Sequence, residues 1–147
     1  MSTFRPFTCD ADVAAIGRGL IDRTLPKPAW THGAHFAAAL WLIRERPDLT
    51  PASDMPPLIR AYNEATGVAN TDEGGYHETI TLASLRAAAA FLRALSPATP
   101  LFAACNDLMA SPLGKTDWLL SYWSRQRLFS VAARRTWVEP DLQALTF

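Results

Sequence analysis

The stretch "YHETITLASLRAAAAFLRAL", Tyr76 to Leu95, decides the fold. On a wheel turning about 100° per residue, Ile80, Leu85, Ala88, Phe91, Leu92 and Leu95 share one arc, and Arg86 and Arg93 face away. Strand-like alternation is absent, so the spacing predicts an amphipathic helix over roughly Tyr76 to Leu95. The first turns of the same arc carry His77, Glu78, Thr81 and Ser84. Polar side chains on a buried face need partners, because each one left unsatisfied costs about 1–3 kcal/mol.

Working outward, the same period recurs. "CDADVAAIGRGLID" repeats Val13, Ile16 and Leu20 behind an acidic start, and "LPKPAW" breaks the pattern. Thr31 is placed to cap a second helix running to about Arg46, where Pro47 stops it. Asp54, ahead of Pro56 and Pro57, opens a third helix with Gly67 just past its end. The polar loop "GVANTDEGG" leads into the helix quoted above. Thr99 followed by Pro100 starts a fifth, ending near Gly114, and Asp117 starts a sixth carrying Trp118, Leu119, Tyr122 and Trp123. The tail "TWVEPDLQALTF" has weak periodicity and is expected to lie extended over the rest. These readings predict a single all-α domain over residues 1–147, a bundle of five or six helices with an extended C-terminal tail.

Composition agrees with a self-sufficient globule. At 147 residues, 49% of them hydrophobic, the chain can bury a core without staples. Fourteen Lys and Arg balance fourteen Asp and Glu with no basic stripe, which argues against nucleic acid as a partner. Cys9 and Cys105 stand in no metal-binding spacing and read as two buried thiols rather than a disulfide. "MSTFRPFTCD" lacks the layout of a secretory signal, and the apolar run "AHFAAALWLI" is about half of what a bilayer requires. The expectation is a cytoplasmic protein with no membrane segment.

The chemistry gathers at the three histidines. In "WTHGAHF", His32 and His35 share an arc with Phe36, Ala39, Leu40, Leu42 and Ile43. His77 falls in the first turn of the fourth helix, and His32 directly follows the cap of the second. The positive end of a helix dipole disfavours imidazolium, and so does burial. Neutral imidazoles can bind a metal or accept a proton.

The sharpest reading has His32, His35 and His77 converging on one divalent ion (zinc, iron, nickel or manganese), with water or substrate completing the shell. The protein would then be a metal-dependent enzyme acting on a small molecule, with Glu78 as general base and Thr81 as an orienting hydroxyl. Trp30, Asn63 and Tyr76 would line the ligand's position. "HETIT" is not the metalloprotease His-Glu-x-x-His helix, because Thr81 stands where the second histidine belongs.

Two other readings stand beside it. One is a buried hydrogen-bonded histidine cluster in a non-catalytic, homo-oligomeric structural protein. The other is a metal-free pocket for a small polar ligand, with the Gly74–Gly75 amides holding a carboxylate or phosphate. Tiers of alanine (Ala34 and Ala38 with Trp41, and Ala83, Ala87, Ala90 and Ala94) form second apolar faces. Other helices or a twofold partner are expected to cover these, so a homodimer is foreseen. Arg134 and Arg135 read as solvated.

With "WTHGAHF", "GGYHETIT" and "WVEPDL" together, the chain resembles a family of small bacterial helical proteins of unassigned function. They share the W-x-H-x-x-H and G-Y-H-E-T-I-T motifs, and the resemblance runs from about Trp30 to Leu142. It implies that the motifs belong together and says nothing of the chemistry. More loosely, the layout is similar to DinB-like bundles, which hold a metal with three histidines. Their close pair comes late in the chain, whereas here it comes first.

Overall fold

In the computed structural model, which describes residues 4–147, every regular element is a helix. The α-helices are α1 (Asp10–Asp22), α2 (His32–Glu45), α3 (Pro51–Ala65), α4 (Glu78–Ala94), α5 (Leu101–Ala110), α6 (Arg125–Leu128) and α7 (Val131–Arg135). Short 3₁₀ turns lie at Lys27–Ala29, Pro112–Gly114 and Trp118–Ser121.

α2 is the central element, because it is apolar nearly all round. Gly33, Ala34 and every residue from Phe36 to Leu42 are buried, and α1, α3, α4 and α5 pack against it. The face formed by Ala34, Ala38 and Trp41 is therefore covered by this chain's own helices. Trp41 lies across Gly17 of α1 so closely that a β-carbon there would overlap its indole. Ala83 and Ala87 of α4 are also buried, whereas Ala94 at its end is exposed.

Several helix ends differ from the sequence reading, each for a local reason. Thr31 caps α2 as expected, its hydroxyl accepting from the Ala34 amide at 3.2 Å. α3 starts at Pro51 rather than near Asp54. Asp54 instead reaches back to accept from the amide of Thr50, the capping residue, at 2.6 Å. Pro56 and Pro57 sit inside this helix, and Gly67 follows its end with φ +85°. α5 is capped not by Thr99 but from α1, where the Asp10 carboxylate accepts from the Phe102 amide at 2.9 Å.

The expected sixth helix from Asp117 does not form as one piece. Trp118–Ser121 is a 3₁₀ turn, and Asp117 makes no cap. Ser124 and Ser130 then each cap a short helix, accepting from the amides of Arg127 and Ala133. Beyond Thr136 the chain lies extended over the bundle, as expected. It is held by the Trp123 indole N–H on the Val138 carbonyl (3.0 Å) and by the Leu142 amide on the Tyr122 carbonyl (2.9 Å). Fully buried Thr79 also pins it, donating to the Thr136 carbonyl at 2.9 Å and accepting from the Val138 amide at 3.2 Å. No described helix is long and apolar enough to cross a membrane.

Candidate functional site

His32 and His35 line one open cavity of about 420 Å³, bounded by α2, α4 and the chain from Thr116 to Phe129. Its walls are mostly apolar, and Ser84, Thr116, Asp117 and Arg125 supply the remaining polar groups.

Backbone carbonyls fix which nitrogen of each ring carries a proton. His32 Nε2 lies 2.8 Å from the Leu113 oxygen, and His35 Nδ1 lies 2.7 Å from the Thr31 oxygen. A carbonyl only accepts, so these nitrogens carry the protons, and in the neutral rings His32 Nδ1 and His35 Nε2 keep lone pairs. Trp30 packs on His35 with ring centroids 3.8 Å apart, and His32 meets Phe36 edge-on at 5.3 Å. Burial lowers the pKa of His35 from 6.5 to about 4, opposed by its bond to Thr31 and assisted by His32. The ring nevertheless has an exposed side, because it lines the cavity. Protein mass surrounds it while cavity water still reaches it, which moderates the shift without changing its direction.

His77 is placed differently. It is the N-cap of α4, not a residue of its first turn. Its Nδ1 accepts from the Ile80 amide at 3.1 Å, and its Nε2–H donates to the Leu128 carbonyl at 2.7 Å. Both nitrogens are occupied and neither keeps a free lone pair. Burial lowers its pKa, opposed by the bond to Leu128, with the nearby Arg134 charge lowering it further. Among the described residues no three His, Cys, Asp or Glu side chains are placed to hold one ion.

The other expected site residues form a second cluster around the loop before α4. Asn70, which the sequence reading passed over, is its hub. Its Oδ1 accepts from Asn63 Nδ2 and from the Tyr76 amide, each at 3.0 Å, and its Nδ2 donates to the Arg60 carbonyl at 3.1 Å. The Tyr76 hydroxyl donates to Glu78 Oε1 at 2.6 Å, and the Arg60 guanidinium lies 4.5 Å from the Tyr76 ring centroid. Burial and the Glu78 carboxylate raise the pKa of this phenol, and Thr81 opposes them.

Arg134 is not simply solvated, since it donates to the carbonyls of Gly75 and Tyr76 (3.1 and 3.2 Å). Exposed Arg135 pairs with Asp72. These contacts tie α7 to the glycine loop. Gly75 has φ +81°, and a β-carbon there would press on the Ala69 carbonyl and on Asn70.

The structure thus joins His32, His35 and Trp30 in one group, and Tyr76, Glu78 and Asn63 in another. His77 binds the start of α4 to the end of α6. Among the described residues no buried side-chain nitrogen or oxygen lacks a hydrogen-bond partner. Asp117, Arg125 and Phe129 were missed as cavity residues because the sequence reading has one helix from Asp117, carrying Trp118, Leu119, Tyr122 and Trp123, whereas the chain breaks into a 3₁₀ turn and a short helix. The serine caps at 124 and 130 were the available signal that it folds back. No family model matches the chain, and neither a curated protein nor a solved structure matches it.

Proposed function

We propose that the protein binds a small molecule with an apolar body in the cavity beside the start of α2. The observation that carries this reading is the pair of cavity histidines, each held by a backbone carbonyl in the tautomer that leaves one acceptor nitrogen. Small-molecule sites are commonly about 300–1,000 Å³, largely apolar, with a few convergent polar groups, and this cavity answers that description. Glu78, the base an enzyme reading relies on, is engaged by Tyr76 and does not line the cavity. Binding is therefore the better supported function, ahead of metal-dependent catalysis.

The test is ligand-observed NMR with indole as a neutral probe, on the wild type and on Ser84→Trp, which fills the cavity. Saturation transfer to indole in the wild type, lost in the variant, supports the reading. Equal transfer in both, or none in either, contradicts it.

A metal reading keeps one supporting observation. Metal-ligating histidines usually donate their other N–H to a carbonyl or carboxylate, as His32 and His35 do here. Two such ligands fall short of the three protein ligands of a catalytic zinc site, so a bound molecule or water would complete the shell of a zinc, iron, nickel or manganese ion. Stoichiometric metal in protein purified without a histidine tag, lost in His35→Ala and kept in His77→Ala, would establish that arrangement. Metal-free protein would remove it.

We place the chain with the small bacterial helical proteins sharing W-x-H-x-x-H and G-Y-H-E-T-I-T, on the support of those motifs alone. The free, exposed thiol of Cys9 suits a reducing cytoplasm. A homodimer is not needed to cover the face built on Ala34, Ala38 and Trp41. Among the described residues the large apolar side chains left exposed are Phe129, Val131 and Leu142, at 56%, 44% and 57%.

A further inference from the structure

The cavity holds one side chain of each charge and leaves them unpaired. Arg125 is the first residue of α6, Asp117 directly precedes the 3₁₀ turn at Trp118, and both line the cavity. Among the described residues the ion pairs join Arg46 to Asp48 and Arg135 to Asp72, and no side-chain hydrogen bond engages Arg125 or Asp117. Both side chains are exposed at the rim of the cavity, so each is reachable from solvent and free to take a complementary partner.

The other polar groups narrow that partner's chemistry. An ammonium has three donors and no acceptor, and a neutral imidazole nitrogen can accept one of them without repelling the charge. In their neutral forms His32 and His35 each keep one such nitrogen. A carboxylate only accepts, and it suits the planar fork of a guanidinium. A ligand with a single charge would satisfy one of Arg125 and Asp117 and bring a like charge toward the other. Phe36, Ile80, Leu128 and Phe129 supply apolar walls for the remainder of the molecule.

We infer that the ligand is an apolar α-amino acid bound as its zwitterion, its carboxylate on Arg125 and its ammonium toward Asp117 and the two cavity histidines. The inference rests on the cavity being the binding site, as proposed above.

Calorimetric titration with four probes of one shape tests it: L-phenylalanine, 3-phenylpropanoate, 2-phenylethylamine and benzyl alcohol. L-Phenylalanine is expected to bind at least about tenfold more tightly than any of the others, the usual scale for one charged hydrogen bond. Arg125→Gln should remove its advantage over phenylethylamine, weakening L-phenylalanine while binding phenylethylamine at least as tightly as the wild type does. Asp117→Asn should remove its advantage over phenylpropanoate in the same way. If any other probe binds as tightly as L-phenylalanine, the zwitterion inference is overturned and the cavity reading stands. If none of the four binds, both are overturned.

Discussion

The imidazole of His77 joins the start of α4 to the carbonyl of Leu128, 51 residues further along the chain, through an N–H···O bond of 2.7 Å. The same ring caps the helix through Nδ1. One side chain thus sets where α4 begins and fixes the end of α6, whose Leu128 lines the cavity. This histidine shapes the wall of the site without entering it.

His77→Ala removes a cap and leaves the buried Leu128 carbonyl without its donor, so the variant should lose about 1–3 kcal/mol in urea unfolding. A chelator should shift the midpoint of neither protein. If a chelator lowers the wild type and spares the variant, His77 belongs to a metal site after all.

Stability should fall on mild acidification. Unfolded, His35 and His77 titrate near 6.5, and folding lowers both. Below 6.5 the unfolded chain takes up protons that the folded chain resists. The stabilisation is full above that value and declines as pH falls toward the folded pKa values, about 4 for His35. Urea midpoints measured down to about pH 5 should therefore drop, and less steeply for His77→Gln. A flat or rising profile would count against neutral rings at His35 and His77.

Thr79→Val keeps the volume but removes a hydroxyl bonded to both Thr136 and Val138. The loss should be about 1–3 kcal/mol, with hydrogen exchange speeding up first at the Val138 amide. Unchanged protection there would show that other contacts hold the tail.

Gly17→Ala places a methyl group against the ring of Trp41. Overpacking of this kind costs about 1–3 kcal/mol, and the α1–α2 contact should loosen, seen as a shift in tryptophan emission. A variant as stable as wild type would mean that α1 can move off α2 at little cost.

Much of the fold is legible from period and punctuation. The Thr31 cap, the length of α2 and the stop at Gly67 follow from residues whose local preference agrees with the tertiary structure. The disagreements arise where a partner comes from far along the chain. The Asp10 carboxylate that caps α5 acts across 92 residues, which no local signal at Thr99 or Pro100 reveals. From Asp117 onward the apolar residues repeat at helical spacing, yet Trp118, Tyr122 and Phe147 pack ring against ring and the chain tightens into a 3₁₀ turn.

The site was legible in part for the same reason. A wheel places His32 and His35 on one face of one helix, and there the cavity lies. A wheel gives an angle and not a capping geometry, so His77 is read onto the arc although its ring turns back to its own helix. Thr79, off the arc that carries Thr81, proved the fully buried hydroxyl because the C-terminal tail covers it.

The most direct measurement is a long-range ¹H–¹⁵N spectrum of the three histidine rings, recorded near neutral pH with and without the four-probe panel. Protons are expected on His32 Nε2, His35 Nδ1 and His77 Nε2, with the His35 and His77 rings neutral. Probe binding should move the unprotonated nitrogens of His32 and His35 and leave His77 nearly still. Rings that no probe moves, or a response confined to His77, would contradict the cavity as the functional site.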